Sequence, residues 1–362
     1  MLIRFLKKEA VLCAASLCAL LSMLLVPPDR GYLGYIDAPV LALLLALMLA
    51  VAGLERAGAF ARLTGASLRV MRGTRSLAAV LVLLCFTSSM ILTNDVALIT
   101  FVPFAISVLC MAGQTDLLIP VVVLQTVAAN LGSMLTPMGN PQNLYLYTLA
   151  GLSPGRFLSV MARPTLLSLG LLLLALLLIP RRPLKGDLDF SCQYSGARCA
   201  LWAAAFCVCL GAVARLYSNF VALLVVLLLV LAFDRSLLRK ADWSLLATFV
   251  AFFIFVGNVQ RMPQISALLA QLVNGRERLC AVAASQIISN VPAAVLLSGF
   301  TDRYAELLIG VNLGGLGTLI ASMASLISYR RYAAIPGARR GRYLAVFTAV
   351  NVAFLAILWV LA

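Results

Sequence analysis

Long apolar runs recur along the whole 362-residue chain, and they restrict its fold more than any other feature. They are about 17–25 residues long, which is the length that an α-helix needs to cross a bilayer. Hydrophobic residues make up 63% of the chain and charged residues 11%, an apolar excess that one soluble core cannot bury. The sequence therefore predicts an all-α polytopic membrane protein.

Two of the apolar segments differ from the others because polar residues interrupt them midway. We expect about nine full spans, at residues 9–27, 36–54, 117–147, 157–179, 199–214, 218–233, 242–258, 303–329 and 343–361. The interrupted segments, residues 76–112 and 277–300, are predicted to be re-entrant helical hairpins that return to the side from which they enter. The first span resembles a signal peptide but lacks a clear cleavage site, so we expect it to be retained.

The basic residues predict the orientation of the chain. Most of the 28 Lys and Arg residues, including every lysine, fall on one side when both interrupted segments are hairpins. Basic loops are typical of the cytoplasmic side, so we expect a multi-pass protein of the inner (cytoplasmic) membrane, with its N-terminus in the cytoplasm and its C-terminus outside. The first hairpin then enters from the cytoplasm and the second from outside, and residues 55–75 form an amphipathic helix on the cytoplasmic surface. The basic residues behind the net charge of +15 lie in short loops, where they set the membrane topology, so we expect no nucleic-acid partner.

The two halves of the chain resemble each other at their polar residues. Thr93-Asn94 aligns with Ser289-Asn290, and Asn130-Leu131-Gly132 aligns with Asn312-Leu313-Gly314. Together with the opposite entry of the hairpins, this pattern predicts an inverted repeat, which many secondary transporters contain. We expect a first repeat at residues 1–179, a cytoplasmic linker at 180–198 and a second repeat at 199–362, with broken helices at 117–147 and 303–329. The first half lacks one span, the partner of one of the two spans between residues 199 and 233.

Polar interruptions at membrane depth suit the binding of ions. A broken helix frees backbone carbonyl oxygens for a cation, and the N-termini of half-helices attract an anion. The candidate sites are the hairpin tips Thr93-Asn94-Asp95 and Ser289-Asn290-Val291-Pro292, and the breaks at residues 132–143 and 314–318. We predict that Asp95 caps the second hairpin helix and adds negative potential to a first cation site. Asp37 and Asp242 are predicted to be helix caps at the membrane interface.

Four segments resemble a known transporter superfamily, namely "LTNDVALITFVPFAI", "AANLGSMLTPMGNPQNLYLY", "SQIISNVPAAVLLSGF" and "GVNLGGLGTLIASMASLI". This ion transporter superfamily includes divalent anion/sodium symporters, citrate transporters, arsenite efflux permeases and one class of sodium/proton antiporters. In the symporters each hairpin tip carries a Ser-Asn-Thr triplet, whose third hydroxyl is replaced here by Asp95 and Val291. The resemblance covers the order of elements over most of the chain, and it implies a homodimer and an elevator-type movement of the hairpin domain.

The resemblance also implies that residues of the first break lie near the first site. The predicted cation-binding residues are Thr93, Asn94, Asp95, Gly132, Gly139, Asn140, Ser289, Asn290, Gly314 and Thr318. The predicted substrate-binding residues are Asn94, Thr136, Pro137, Asn143, Asn290, Val291 and Ser322.

These features together predict a secondary active transporter that moves a small anion, an organic carboxylate, with Na⁺ or H⁺ as the coupling ion. An efflux permease for arsenite or another oxyanion, or a sodium/proton antiporter of the same superfamily, is the alternative. The chain has no histidine and no visible nucleophile–base pair, which argues against an enzyme, and two unlike halves suit alternating access better than a channel. Without histidine or clustered cysteines, we expect no transition metal and no other cofactor.

Overall fold

The computed structural model of the chain describes residues 9–68, 73–183 and 194–362. Across these ranges the chain forms α-helices joined by short 3-10 turns, and its one isolated β-bridge joins Gly73 to Pro183. Seven of the described helices are long and apolar enough to cross a membrane. The prediction of an all-α polytopic membrane protein is therefore confirmed.

Seventeen α-helices are described, eight of them before the central polar loop. The first eight are α1 (Ala10–Leu25), α2 (Ala38–Arg56), α3 (Ala59–Leu68), α4 (Thr74–Ser89), α5 (Asn94–Met111), α6 (Leu118–Gly132), α7 (Pro141–Leu149) and α8 (Pro154–Leu177). The others are α9 (Gly196–Val213), α10 (Asn219–Phe233), α11 (Trp243–Gln260), α12 (Pro263–Val273), α13 (Glu277–Ile288), α14 (Asn290–Ser298), α15 (Tyr304–Leu313), α16 (Met323–Ala333) and α17 (Arg340–Leu361). Most of the predicted linker, residues 184–193, lies outside the described residues.

Both interrupted segments form pairs of helices that meet at a polar turn. In the first pair, α4 and α5, the chain leaves helical geometry at residues 90–93. In the second pair, α13 and α14, the turn is at Ser289. Its φ of 75° lies in the left-handed region, which residues other than glycine rarely adopt. The turn between α13 and α14 therefore consists of one residue, because a single positive φ changes the direction of the backbone.

The two ends of each helix pair lie next to each other. At the start of α4 the Thr74 hydroxyl donates to the Pro180 carbonyl, and Arg182 forms an ion pair of 2.8 Å with Asp116, which follows α5. At the start of α13, Glu277 accepts a hydrogen bond of 3.1 Å from Thr301, which follows α14. Each pair thus begins and ends at one place, which we call its base.

The two bases lie at opposite ends of the antiparallel helices α2 and α11. The end of α2 meets the start of α11 at the Glu55–Lys240 ion pair (3.8 Å), and α3 connects this end to α4 and the first base. At the other end of α11, Gln260 donates to the Gly299 carbonyl (2.9 Å) beside the second base. Since α11 is 18 residues long, the two bases are separated by roughly 27 Å along its axis.

The order of helices is the same in the two halves. Helices α2 to α8 correspond one by one to α11 to α17, and α1 packs on α11 as α10 packs on α2. Among the described residues, α9 has no counterpart in the first half, which agrees with the predicted missing span. Helix α12, which corresponds to α3, was not predicted. It is short, amphipathic and mostly exposed.

The amphipathic helix predicted over residues 55–75 is wrong in its extent. Within that range only α3 is a helix of its own, because α2 continues to Arg56 and α4 begins at Thr74. Residues 69–72 lie outside the described ranges. Gly58, with a φ of 81°, ends α2 in the left-handed conformation that commonly terminates a helix.

Both predicted broken helices are broken. Residues 133–140 separate α6 from α7 as two 3-10 turns, and α7 starts at Pro141, whose missing N–H costs nothing in the first turn. Residues 314–322 separate α15 from α16, and there Gly317 has a φ of 108°. Each broken helix continues beyond its predicted end, to Leu149 and to Ala333.

Candidate transport site

The helix pairs and the broken helices meet around a small cavity of about 120 Å³, which we call the tip cavity. Of the described helices, four have their N-terminal residue in its wall: α5 at Asn94, α7 at Pro141, α14 at Asn290 and α16 at Met323. A helix N-terminus carries partial positive charge and free N–H groups. The tip cavity is therefore a place where backbone dipoles from both halves of the chain favour an anion.

A larger cavity of about 620 Å³ adjoins the tip cavity and shares part of its wall. It extends to the Glu55–Lys240 ion pair at the end of the molecule that carries the first base. Of the described charged residues, those lining it are Glu9, Glu55, Asp95, Lys240, Asp242 and Arg330. Asp95 and Arg330 line both cavities, so either charge can act on a ligand in either space.

Asp95 does not cap α5, so this prediction is wrong. The cap is Thr93, whose hydroxyl accepts a hydrogen bond of 3.4 Å from the backbone N–H of Val96. Asp95 lies in the first turn of the helix, and its Oδ1 atom is buried without a hydrogen-bond partner among the described residues. The Asp95 carboxylate is therefore available to bind a ligand, a proton or a water molecule.

The predicted caps Asp37 and Asp242 are confirmed. The Asp37 carboxylate accepts a hydrogen bond of 3.0 Å from Val40 at the start of α2. The Asp242 carboxylate accepts one of 2.9 Å from Leu245 at the start of α11. Asp242 has a second property that the sequence did not indicate, since it also lines both cavities.

Asn130, on α6, joins the first tip to the second broken helix. Its Oδ1 atom accepts hydrogen bonds from Asn94 Nδ2 (3.0 Å) and from Ser322 Oγ (2.9 Å). Its Nδ2 atom donates to the Gly315 carbonyl over 3.4 Å. The Asn130 side chain is 3% exposed, so these hydrogen bonds replace water and fix the relative position of the two halves at the tip cavity.

Asn312, on α15, makes the reciprocal connection to the first broken helix. Its Nδ2 atom donates to Asn143 Oδ1 over 2.7 Å, and its Oδ1 atom accepts from Asn140 Nδ2 over 3.3 Å. Asn140 also donates to Ser133 Oγ at 2.7 Å. Neither Asn130 nor Asn312 was predicted as a site residue, although their place in the repeated Asn-Leu-Gly motif was the signal that could have identified them.

The second tip rests on the second break. The backbone N–H of Asn290 donates to the Ala321 carbonyl at 3.0 Å, and Ser289 Oγ donates to the same oxygen at 3.4 Å. A side chain at Gly315 would bring a carbon atom to 3.0 Å from Asn290 Nδ2, so glycine lets the break approach the tip. The second tip and the second break therefore form one surface of the tip cavity.

The structure brings about half of the predicted site residues to the two cavities. The predicted residues in a cavity wall are Thr93, Asn94, Asp95, Asn140, Ser289, Asn290, Val291 and Ser322. Within the described ranges, the predicted residues outside both walls are Gly132, Thr136, Pro137, Gly139, Asn143, Gly314 and Thr318. The latter residues instead hold the breaks in shape. Asn143, for example, donates to the carbonyls of Ser133 (3.2 Å) and Thr136 (3.2 Å), and Thr318 is exposed and bonded to Gln286.

The chain is similar to known proteins over most of its length. The profile of a family described as citrate transporter matches residues 2–327. The chain belongs to the citrate transporter family. This membership confirms the resemblance to the ion transporter superfamily, and it identifies the protein as a membrane transporter and not an enzyme.

Individual proteins similar to this chain carry transporter or membrane-protein names. The chain is 33% identical to the inner membrane protein YbiR of Escherichia coli, over 82% of this chain and 80% of the relative. It is 31% identical to an uncharacterized transporter of Methanocaldococcus jannaschii, over 73% of each chain. A shorter match, 32% identical, covers 44% of this chain and 33% of a silicon efflux transporter of Oryza sativa subsp. japonica.

Proposed function

We propose that this member of the citrate transporter family is a secondary active transporter that moves a small organic carboxylate across the inner membrane, coupled to Na⁺ or H⁺. The observation that carries the proposal is the convergence of four helix N-termini on the tip cavity. Helix dipoles at these N-termini stabilise a carboxylate without requiring a permanently charged partner. Arg330, which lines both cavities, adds a full positive charge for a second carboxylate of the same substrate.

A coupling cation has suitable ligands beside this anion site. Asp95 Oδ1 and Asn140 Oδ1 are buried oxygen atoms that lack a hydrogen-bond partner in the part of the chain that the structure describes. Both residues line the larger cavity. Carboxylate and amide oxygens suit a hard cation such as Na⁺, and a proton bound to Asp95 would satisfy the same carboxylate.

The position of the two bases supports alternating access through an inverted repeat. If each helix pair is a re-entrant hairpin, bases at opposite ends of α11 place their entry points on opposite sides of the membrane. The first base carries Arg75, Arg181 and Arg182, and this positive charge supports a cytoplasmic position by the positive-inside rule. Arg163, on the half of α8 away from Arg182, donates to the Leu361 carbonyl (2.8 Å), which supports a C-terminus on the outer side.

A second candidate function is the efflux of a small oxyanion or of its uncharged acid. The match to a silicon efflux transporter favours this function. The cavity walls agree with it as well, since their described charged residues include Glu9, Glu55, Asp95 and Asp242 against Lys240 and Arg330. An uncharged, hydroxyl-bearing substrate would meet no net repulsion there.

Transport by purified protein in proteoliposomes tests the proposal. Labelled citrate, succinate, acetate, silicate and arsenite are offered under an imposed inward Na⁺ gradient, an inward H⁺ gradient or no gradient. We expect uptake of at least one carboxylate that rises when one of the two gradients is imposed. Uptake of silicate or arsenite alone would favour the second function, and sodium flux driven by protons without anion movement would contradict both.

A further inference from the structure

Gln142 is a buried amide in the wall of the tip cavity. The predicted break at residues 132–143 contains it, but it was not among the predicted binding residues. It is the second residue of α7, and its side chain is 1% exposed. Its Nε2 atom has no hydrogen-bond partner among the described residues. Native proteins satisfy nearly all buried amide groups, so a donor left free beside a cavity indicates a partner that the protein chain itself does not supply.

The neighbouring amides show that this free donor is specific to one residue. Asn140 Nδ2 donates to Ser133 and Asn312, and Asn143 Nδ2 donates to backbone carbonyls of the first break. Of the three amides in the segment Asn140-Pro141-Gln142-Asn143, only Gln142 therefore has its donor unused within the described structure. It lines the tip cavity together with Asn94 and Asn290, one residue from each helix tip.

We propose that Gln142 is a substrate-binding residue, whose Nε2 atom donates a hydrogen bond to a carboxylate oxygen of an anion held in the tip cavity. This inference rests on the proposed function, since it assigns a residue and a ligand atom to the same anion site. The helix N-termini around the cavity attract the charge, and the Gln142 amide selects an oxygen acceptor at one position. A cavity of about 120 Å³ has room for a carboxylate group, while the rest of the substrate extends into the larger cavity.

The test uses equilibrium binding of labelled citrate and succinate to the purified full-length protein in detergent. Q142L removes the donor and retains an apolar side chain of similar length, and Q142E places a negative charge at the same position. The matched controls are Q271L and Q271E, the same changes at an exposed position of α12 that lines neither cavity in the described structure. The melting temperature of each ligand-free variant is measured in parallel.

We expect the dissociation constant of the probe that the wild type binds to rise by about 10- to 100-fold in Q142L, and further in Q142E, because a hydrogen bond to a charged acceptor is lost. The variants at position 271 should bind as the wild type does. The ligand-free melting temperature of Q142L should equal or exceed that of the wild type, because the substitution removes a buried donor that no described residue satisfies. This combination of weaker binding and undiminished stability would not arise from a structural hydrogen bond.

Two results would overturn the inference. If the wild type binds a probe and Q142L and Q142E bind it within about twofold, water alone satisfies the Gln142 donor. If both variants bind weakly and also melt well below the wild type without ligand, Gln142 supports the fold and not the anion. A wild type that binds neither citrate nor succinate would instead contradict the proposed carboxylate function, so the two failures are distinguishable.

Discussion

Single amide side chains hold the two halves of this transporter together at its centre. Asn130 and Asn312 occupy corresponding places on α6 and α15, and each bonds to the broken helix of the opposite half. A buried amide has both a donor and an acceptor, so one residue can satisfy groups from two elements at once. Gln142 differs, because within the described ranges its amide donor has no such partner.

At the residue scale, Asp95→Asn should abolish the coupling of transport to the ion gradient while leaving the protein folded. Asn retains the size of the side chain but removes the charge, and Thr93 still caps α5. We expect gradient-driven uptake to fall by about tenfold or more, because a charged ligand is lost from a buried site. Uptake into proteoliposomes with and without a gradient measures the effect.

The matched control for this prediction is Asp37→Asn. Asp37 caps α2 and lies outside both cavities in the described structure, and Asn caps a helix as well as Asp does. Transport by this variant should equal that of the wild type. If Asp95→Asn also responded fully to the gradient, the carboxylate would not take part in coupling.

At the scale of elements, helices that stop inside the molecule generate the site. A continuous helix bonds nearly all of its N–H groups internally, whereas each half-helix leaves its first N–H groups free. The breaks at Ser289 and at residues 133–140 and 314–322 therefore place backbone donors where a continuous helix would present only side chains. Close packing between α4 and α6 fixes where the first break lies.

Gly132→Ala should separate α4 from α6. A side chain at Gly132 would overlap the backbone carbonyl of Phe86, which cannot rotate away as a side chain could. We expect the free energy of unfolding to fall by about 1–3 kcal/mol, as for other overpacked cores. Gly170→Ala in α8, where the structure has open space, is the control and should not destabilise the protein. Equal stability of both variants in detergent would contradict the packing of α4 on α6.

At the scale of the whole molecule, the two helix pairs approach the centre from opposite ends. Helix α5 packs on α16, and α14 packs on α7, so the second helix of each pair contacts the broken helix of the other half. The tip cavity thus has walls from both halves, and under the proposed function a substrate in it would contact both at once.

Epitope tags inserted at Gly113 and Gly275 test the opposite orientation of the two bases. Both glycines are exposed, have a positive φ and have open space around them, so an insertion should be tolerated. In intact bacterial spheroplasts, we expect an antibody to reach the tag at Gly275 and to reach the tag at Gly113 only after permeabilisation. Labelling of both tags from the same side would contradict the inverted arrangement.

Much of this architecture was predictable from the sequence, because membrane spans depend on length and hydropathy, which are local properties. Polar residues within apolar runs mark the interruptions at Thr93-Asn94-Asp95 and Ser289-Asn290 and the two broken helices. The missing span of the first half follows from counting the apolar runs in each half. The helix α12 was not predicted, because eleven residues on the molecular surface are too short and too amphipathic to resemble a span.

The sequence by itself determined that this chain is a polytopic helical membrane protein with paired polar breaks, since no other fold buries so many apolar residues. Only the tertiary structure decided what each polar residue does. It showed that Thr93, not Asp95, caps α5, and that Asn130 and Asn312 join the two halves. It also showed that the Gln142 donor beside the tip cavity has no partner in the described part of the chain. The physical reason is that the role of an amide or carboxylate depends on which partners reach it, and here those partners come from distant parts of the chain.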